Sequence, residues 1–367
     1  MINIGIFTSS RSDFGILKKI AIKIEKNKKY RLKIIATGSH LSKYFGHTIN
    51  KIKKNRFSNI ICLKNLILKN GEIDILESNK KLIKGIYDHL ENINIDYMIM
   101  LGDRYELLPI STYCFLKKIK IIHIHGGEVT LGAIDNKIRN MVSMLSDYHF
   151  VATKKSKIKL EKFDIDKKTI FCIGAPGIEG INKNLYEKNF LEKKFNFRFS
   201  KKNIMKSIHP ETLSKKSIEY LEVLLDSLKE FPLVKFIFTS PAADHEGYLM
   251  KKRIIKFVKR NKNCLFFDSL GHKDYLSFVN ICNLVVGNSS SGIIEIPSLN
   301  KISINLGKRQ LGRERSDSVK NVDFKKTLIV KEIKKYLNKK NTVKFKNPYE
   351  LFNKPSAKFL EIIQKCL

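Results

Sequence analysis

The sequence predicts an α/β protein of two doubly wound domains facing each other across a cleft. Three observations predict it. Short, nearly continuous apolar runs recur in both halves, each followed by a polar turn and, in most cases, by helical periodicity. The chain has 367 residues, more than one comfortable core. Histidines, arginines, carboxylates and small-residue loops follow the apolar runs, which is where open α/β sheets bind ligands.

The first half reads in order. Met1 to Phe7 is a strand buried on both faces, and Thr8 to Gly15 is its polar turn. A helix is expected from about Ile16 to Glu25, with apolar residues at i, i+3, i+4. Arg31 to Thr37 is the next strand, and Tyr97 to Leu101 another. Gly102-Asp103-Arg104-Tyr105-Glu106 opens the helix that follows it. Lys120 to His125 is a strand ending in Gly126-Gly127-Glu128, with a helix from about Asn136 to Leu145. Phe150 to Ala152 and Ile170 to Ile173 complete the set. Gly174 to about Asn184 is the best linker.

The second half repeats the theme. Strands are expected at Ile204–Ile208, Val234–Thr239, Cys264–Phe267, Leu284–Val286 and Ile302–Leu306. Helices are expected at Asp274–Asn280 and Ala357–Leu367. The expected division is 1–178, 179–354 and a terminal helix, 355–367, packing back on the first domain.

Composition excludes some classes. No apolar run approaches the roughly 20 residues needed to span a bilayer, and no export signal is visible at the N-terminus. The six cysteines are scattered; most lie in apolar runs and read as reduced core residues of a cytoplasmic protein. The net charge of +35 raises the reading of a nucleic-acid or membrane-surface protein. However, the lysines are spread along the whole chain, with no Arg-rich cluster and no zinc-finger pattern. No nucleic-acid or membrane partner is expected.

Gly287-Asn288-Ser289-Ser290-Ser291-Gly292 is the strongest local motif. A strand, a small-residue loop and a helix N-terminus make an anion site, because the first helical N–H groups lack partners and the dipole end is positive. Across the cleft lie Asp103, Arg104, His125, Glu128 and Asp135. His209, Ser289, Ser290, Glu295 and Arg309 lie on the motif's side. That layout suits a diphosphate leaving group held by one domain and acid–base chemistry done by the other. Structural roles compete: Asp103 and Asp135 suit helix caps, Glu128 a solvated loop, His209 a strand end and Arg309 a surface charge.

Seven stretches, taken together and in register, resemble the hydrolysing UDP-N-acetylglucosamine 2-epimerases, a branch of the sugar-nucleotide 2-epimerases with the glycosyltransferase-B fold. They are the Thr8-to-Gly15 turn, Gly102 to Glu106, His123-Ile124-His125-Gly126-Gly127-Glu128, Ala133-Ile134-Asp135 with Arg139, His209-Pro210-Glu211-Thr212, Gly287 to Gly292, and Gly307-Lys308-Arg309-Gln310 with Gly312-Arg313. The resemblance implies two Rossmann-like domains, no cofactor and no metal. It makes Asp103, Glu128, Asp135 and His209 catalytic. Arg11, Arg104, Arg139, Ser289, Ser290, Gly292, Glu295 and Arg309 would bind the UDP part. Some relatives carry a glutamate where this chain has His125, so either Glu128 takes that role or His125 takes part directly. A UDP-sugar partner and a homo-oligomer, dimer or tetramer, are expected.

The implied reaction releases UDP and a free C2-epimeric sugar. UDP-N-acetylglucosamine, giving N-acetylmannosamine for sialic-acid synthesis, is the favoured substrate. A UDP-2,4-diacetamido-trideoxyhexose of the legionaminic acid route is the alternative. A non-hydrolysing epimerase, which the Gly307-Lys308-Arg309-Gln310 and His125-to-Glu128 stretches resemble less, a glycosyltransferase of the same fold and a basic nucleic-acid-binding protein are the other readings.

Overall fold

The computed structural model describes residues 1–69, 72–183, 185–244, 246–339 and 344–367, with Glu72 described by its backbone alone. The linker's last residue, Asn184, lies outside the described residues.

The first sheet uses β1 (Ile2–Thr8), β2 (Tyr30–Thr37) and β3 (Ile60–Leu63). A small antiparallel hairpin follows, β4 (Leu68–Lys69) with β5 (Glu72–Ile73). The sheet then takes β6 (Tyr97–Leu101), β7 (Lys120–Ile124), β8 (Tyr148–Val151) and β9 (Ile170–Cys172). All its pairs are parallel, in the order β3-β2-β1-β6-β7-β8-β9. The second sheet takes β10 (Asn203–Ser207), β11 (Lys235–Thr239), β12 (Cys264–Phe267), β13 (Leu284–Gly287), β14 (Ile302–Leu306) and β15 (Val319–Val322). It too is parallel, ordered β12-β11-β10-β13-β14-β15.

The strands are apolar on both faces because helices cover both. Ile4 and Ile6 of β1 face one cluster and Phe7 the other, all essentially inaccessible. Each fully buried side chain of this size contributes roughly 1.5–3 kcal/mol.

The order of strands positions the site. In the first sheet the direction of growth reverses between β1 and β6, so the carboxyl ends of these strands flank a crevice. Ser10–Arg11 and Asp103–Arg104 emerge there. In the second sheet the reversal falls between β10 and β13, where His209 and Asn288–Ser290 emerge. The two crevices meet. Leu131 N–H donates to Leu311 O at 2.9 Å and Ile134 N–H to Thr212 Oγ1 at 3.0 Å. A Cβ on Gly132 would come within 2.1 Å of Lys308 O, so this crossing admits only glycine. The helix Pro355–Cys366 packs on the helix Arg11–Glu25, and Phe359 is fully buried with its ring centroid 4.4 Å from that of Phe150.

Three local expectations need correction. The first helix starts at Arg11, not near Ile16. Asp13 accepts the N–H groups of Ser9 at 2.9 Å and Ser10 at 3.0 Å, which ties down the polar turn and lets the helix begin early. The strand read as Lys120–His125 ends at Ile124, because His125 takes a left-handed φ of 64°. The helix after the Gly/Ser motif is one turn, Ser291–Ile294, so little dipole stands behind that loop.

Candidate active site

A cleft of about 270 Å3 opens between the two sheets. Arg11, Asp103, Arg104 and Asp135 line it from the first half. His209, Ser289, Ser290, Glu295 and Arg309 line it from the second.

The phosphate-type wall is built by Asn288. Its side chain accepts His209 N–H at 2.7 Å and donates to His209 O at 2.9 Å, which locks β10's end to β13's. Gly287 makes this possible, since a Cβ there would sit 1.9 Å from Ser207 O. Arg309 Nη1 and Gln310 Nε2 donate to Asn288 O at 3.3 and 3.1 Å. Glu211 accepts the N–H groups of Lys308 at 2.7 Å and Arg309 at 3.1 Å, fixing the Gly307 turn. His209 Nδ1 accepts Ala242 N–H at 2.9 Å, so its proton lies on Nε2. Burial, then Arg309, Arg11 and Arg104, hold the His209 pKa far below the ordinary histidine value. The His209 Nε2–H makes only a long contact, 3.4 Å, to Ser207 Oγ, so the wall presents a neutral donor beside a guanidinium, suited to an anionic oxygen.

The opposite wall carries the carboxylates. Asp103 follows β6 and pairs with the guanidinium of Arg139. Asp135 opens the helix Asp135–Met144. Burial pushes its pKa up and nearby Asp244 adds to this, against Arg309 and Arg104. Its surroundings thus favour the acid form more than free solution does. Arg104 reaches across to the second half, pairing with Asp244 at 3.2 Å as well as with Glu106 at 3.1 Å. Arg11 donates to Ser240 O at 3.2 Å and to Asp268 O.

Four expected site residues stand elsewhere. Arg139 is fully buried, donating to Glu128 O at 2.8 Å and Thr130 Oγ1 at 3.1 Å, so it positions the acidic loop and does not reach phosphate. Gly292 gives its N–H to Ser289 O at 3.1 Å, and a Cβ there would meet Ser303 Oγ at 2.6 Å; close packing, not anion binding, accounts for it. Glu128 is 3% exposed and lines a separate cavity, of about 310 Å3, shared with Ser156, Lys159 and Gly312–Glu314. His125 is also buried, and its Nδ1 pairs with Glu128.

Sequence reasoning missed His272, Tyr275, Asp244 and the pairing of Arg313. His272 Nε2 donates to Glu295 Oε1 at 2.7 Å. Burial alone would raise Glu295, but His272 overcomes it and holds the carboxyl below its usual range. Arg313 Nη2 lies 2.9 Å from Glu128 Oε2. Of these, only the Gly312-Arg313 stretch carried a sequence signal.

The model of the UDP-N-acetylglucosamine 2-epimerase family matches residues 22–364. The chain is 34% identical to a GDP/UDP-N,N'-diacetylbacillosamine 2-epimerase (hydrolyzing) of Campylobacter jejuni, over 86% of this chain and 82% of that protein. It is 32% identical to polysialic acid biosynthesis protein P7 of Escherichia coli, over 89% and 84%. It is 30% identical to a UDP-N,N'-diacetylbacillosamine 2-epimerase (hydrolyzing) of Legionella pneumophila, over 93% and 90%. The fold is similar to that of the Neisseria meningitidis UDP-GlcNAc 2-epimerase bound to UDP-GlcNAc, with a TM-score of 0.80 at 18% identity and both chains fully covered. This chain belongs to the UDP-N-acetylglucosamine 2-epimerase family.

Proposed function

We propose that the chain is a hydrolysing 2-epimerase whose substrate is a UDP-2,4-diacetamido-trideoxyhexose, released as the free C2-epimer with UDP. The observation that carries the reaction is the cleft's division of labour. Asp103 and Asp135 face a wall of His209, Arg309 and the Ser289–Ser290 loop. The choice of sugar rests on two relatives named for diacetylbacillosamine, at 34% and 30% identity. The sequence by itself favoured UDP-N-acetylglucosamine. That second reading keeps the support of the polysialic acid protein at 32% and of a Neisseria meningitidis UDP-N-acetylglucosamine 2-epimerase at 26%.

The C2 proton is a weak acid, so its loss is coupled to departure of UDP from C1. Charge grows on the leaving diphosphate, where fixed donors aimed at developing charge are most effective. Arg309 and the His209 Nε2–H supply those donors. The product of elimination is a 2-acetamidoglucal. Water then adds at C1 while a proton returns to the opposite face of C2, a task suited to Asp135. Residues 1–178 and 179–354 act as the two lobes that shut around the substrate, with 355–367 returning to the first.

NMR of products formed from the two UDP-sugars offered in competition tests the reading. Free sugar from the diacetamido substrate is expected to form first. Preference for UDP-N-acetylglucosamine would replace it with the second reading, and transfer to an acceptor without free-sugar release would reject both.

A further inference from the structure

We propose, resting on that reading of the reaction, that Phe45 and Ala243 form the seat for C6 of the hexose, and that they select a methyl group there over a hydroxymethyl group. The cleft has two ends. At one, His272 holds Glu295 at 2.7 Å, with Tyr275 and Ser291 beside the pair. At the other, Asp135 is flanked by Arg104 and Asp244. His209 lies within reach of the charges of Arg11, Arg104 and Arg309. With the diphosphate on the His209–Arg309 wall, nucleoside and hexose occupy opposite ends, and the carboxylates place the hexose beside Asp135. Phe45 and Ala243 line this end. They come from different halves and pack with Ile73 into one small apolar cluster. Arg104 fixes Ala243 by donating to its carbonyl at 3.2 Å, and pairs with the adjacent Asp244 at 3.2 Å. Phe45 closes a short turn, Lys43–Phe45, ended by Gly46 at a left-handed φ of 89°. Its neighbour Tyr44 is held by the second half. Lys251 Nζ donates to Tyr44 O at 2.8 Å, and the Tyr248 ring lies 4.7 Å from that of Tyr44. The seat is thus fixed from both halves.

The seat offers hydrocarbon, and the donors at this end are engaged. Ser39, which also lines the cleft, gives its hydroxyl to Ser9 O at 3.0 Å. All three side-chain nitrogens of Arg104 are used, on Glu106, Asp244 and Ala243 O. Asp244 Oδ1 already accepts from Arg104. A hydroxymethyl group set against Phe45 and Ala243 would be desolvated and would compete with Arg104 for its partners. A methyl group loses no hydrogen bond and gains the contact with the ring. The trideoxyhexose of the proposed substrate carries that methyl at C6. Ile16 and Leu270, which also line the cleft, belong to the opposite end. There Ile16 and Glu295 both abut Gly177, and Leu270 leads into His272.

Wild-type release of free sugar and UDP tests the underlying reaction, and a change of the C4 substituent tests the choice of sugar. The seat is tested at C6 alone, with UDP-N-acetylglucosamine and its 6-deoxy counterpart. The wild type is expected to favour the 6-deoxy sugar by about 10–100-fold in kcat/KM. Phe45→Asn and Ala243→Ser are each expected to shrink that preference to about a few-fold, while Phe45→Leu, which keeps the seat apolar, retains most of it. The ratio does not depend on how much of a variant is folded, because both sugars meet the same active fraction. A merely structural role would lower both rates and leave the ratio in place. Where neither sugar turns over, their dissociation constants, read by calorimetry, give the same comparison. Equal use of the two sugars by the wild type, or a ratio unmoved in both Phe45→Asn and Ala243→Ser, overturns the assignment. Failure at C4 with the C6 preference intact overturns the choice of sugar and leaves the seat standing.

Discussion

Among the described residues, two histidine–glutamate pairs differ in which ring nitrogen meets the carboxylate. His125 spends Nδ1 on Glu128 and keeps a buried, unpartnered Nε2. His272 spends Nε2 on Glu295 at 2.7 Å, and its side chain is 31% exposed on the cleft wall. The first pair is clamped by an arginine from the other half. The second lies wholly within the second half, against Tyr275, whose hydroxyl accepts a hydrogen bond from Ser291 at 3.0 Å. The same two residue types thus serve different ends. The first pair is sealed from solvent and braces the loop after β7, while in the second a partly exposed histidine holds a buried, charged carboxylate at the cleft wall, which suits recognition of hydroxyl groups.

The largest effect should come from breaking the first pair and sparing the second. Glu128→Gln should loosen the loop and cost on the order of 10²-fold in kcat, the scale of a small misplacement near the chemistry. Glu295→Gln should act mainly on KM for the UDP-sugar. Steady-state kinetics of both variants checks the contrast, and equal effects on kcat would erase it. Next, Arg309→Ala should weaken UDP binding by about 10–100-fold, the worth of a hydrogen bond to a charged group. Calorimetry reads this, and unchanged affinity would remove Arg309 from the phosphate wall.

Acid unfolding sharpens the comparison further. His149, pushed down to about 4, and His123, down to about 3, are buried neutral. Their unfolded forms bind protons first, so stability should fall as pH drops below the unfolded value of 6.5. Glu128 is held below its usual range; burial opposes this, but Arg313 and His125 prevail. Its contribution, like that of Glu295, is present above the unfolded carboxylate value of about 4.3 and lost below it. Denaturant melts against pH should show both windows, and Glu128→Gln should flatten only the lower one.

The smallest effect concerns the background. Lys206 is fully buried in β10, 5.5 Å over the Phe236 ring, and its Nζ has no hydrogen-bond partner among the described residues. Burial drives its pKa far down. The unfolded chain binds that proton more readily, so stability should rise with pH through the interval below the unfolded lysine value. Lys206→Met should stabilise by on the order of 1 kcal/mol and remove that slope.

Much of the candidate site was legible because most of its residues follow an apolar run. Asp103, His209 and Arg309 sit just past strand ends, Asp135 opens the helix that follows β7, and parallel sheets bring such ends together. Arg139 was misread for a physical reason. A sequence shows an arginine near acidic residues but not its depth, and full burial turned a phosphate ligand into a brace for Asp103 and Glu128. His272 escaped because nothing local marks it; its partner Glu295 is remote in sequence.

The sequence by itself determined the doubly wound α/β sheets and the seven stretches that mark the family, because periodicity and turn chemistry are local properties. Only the tertiary structure decided which nitrogen of His125 meets Glu128 and which half supplies Arg313. Those depend on burial and on contacts between strands far apart in the chain, and no local pattern encodes them.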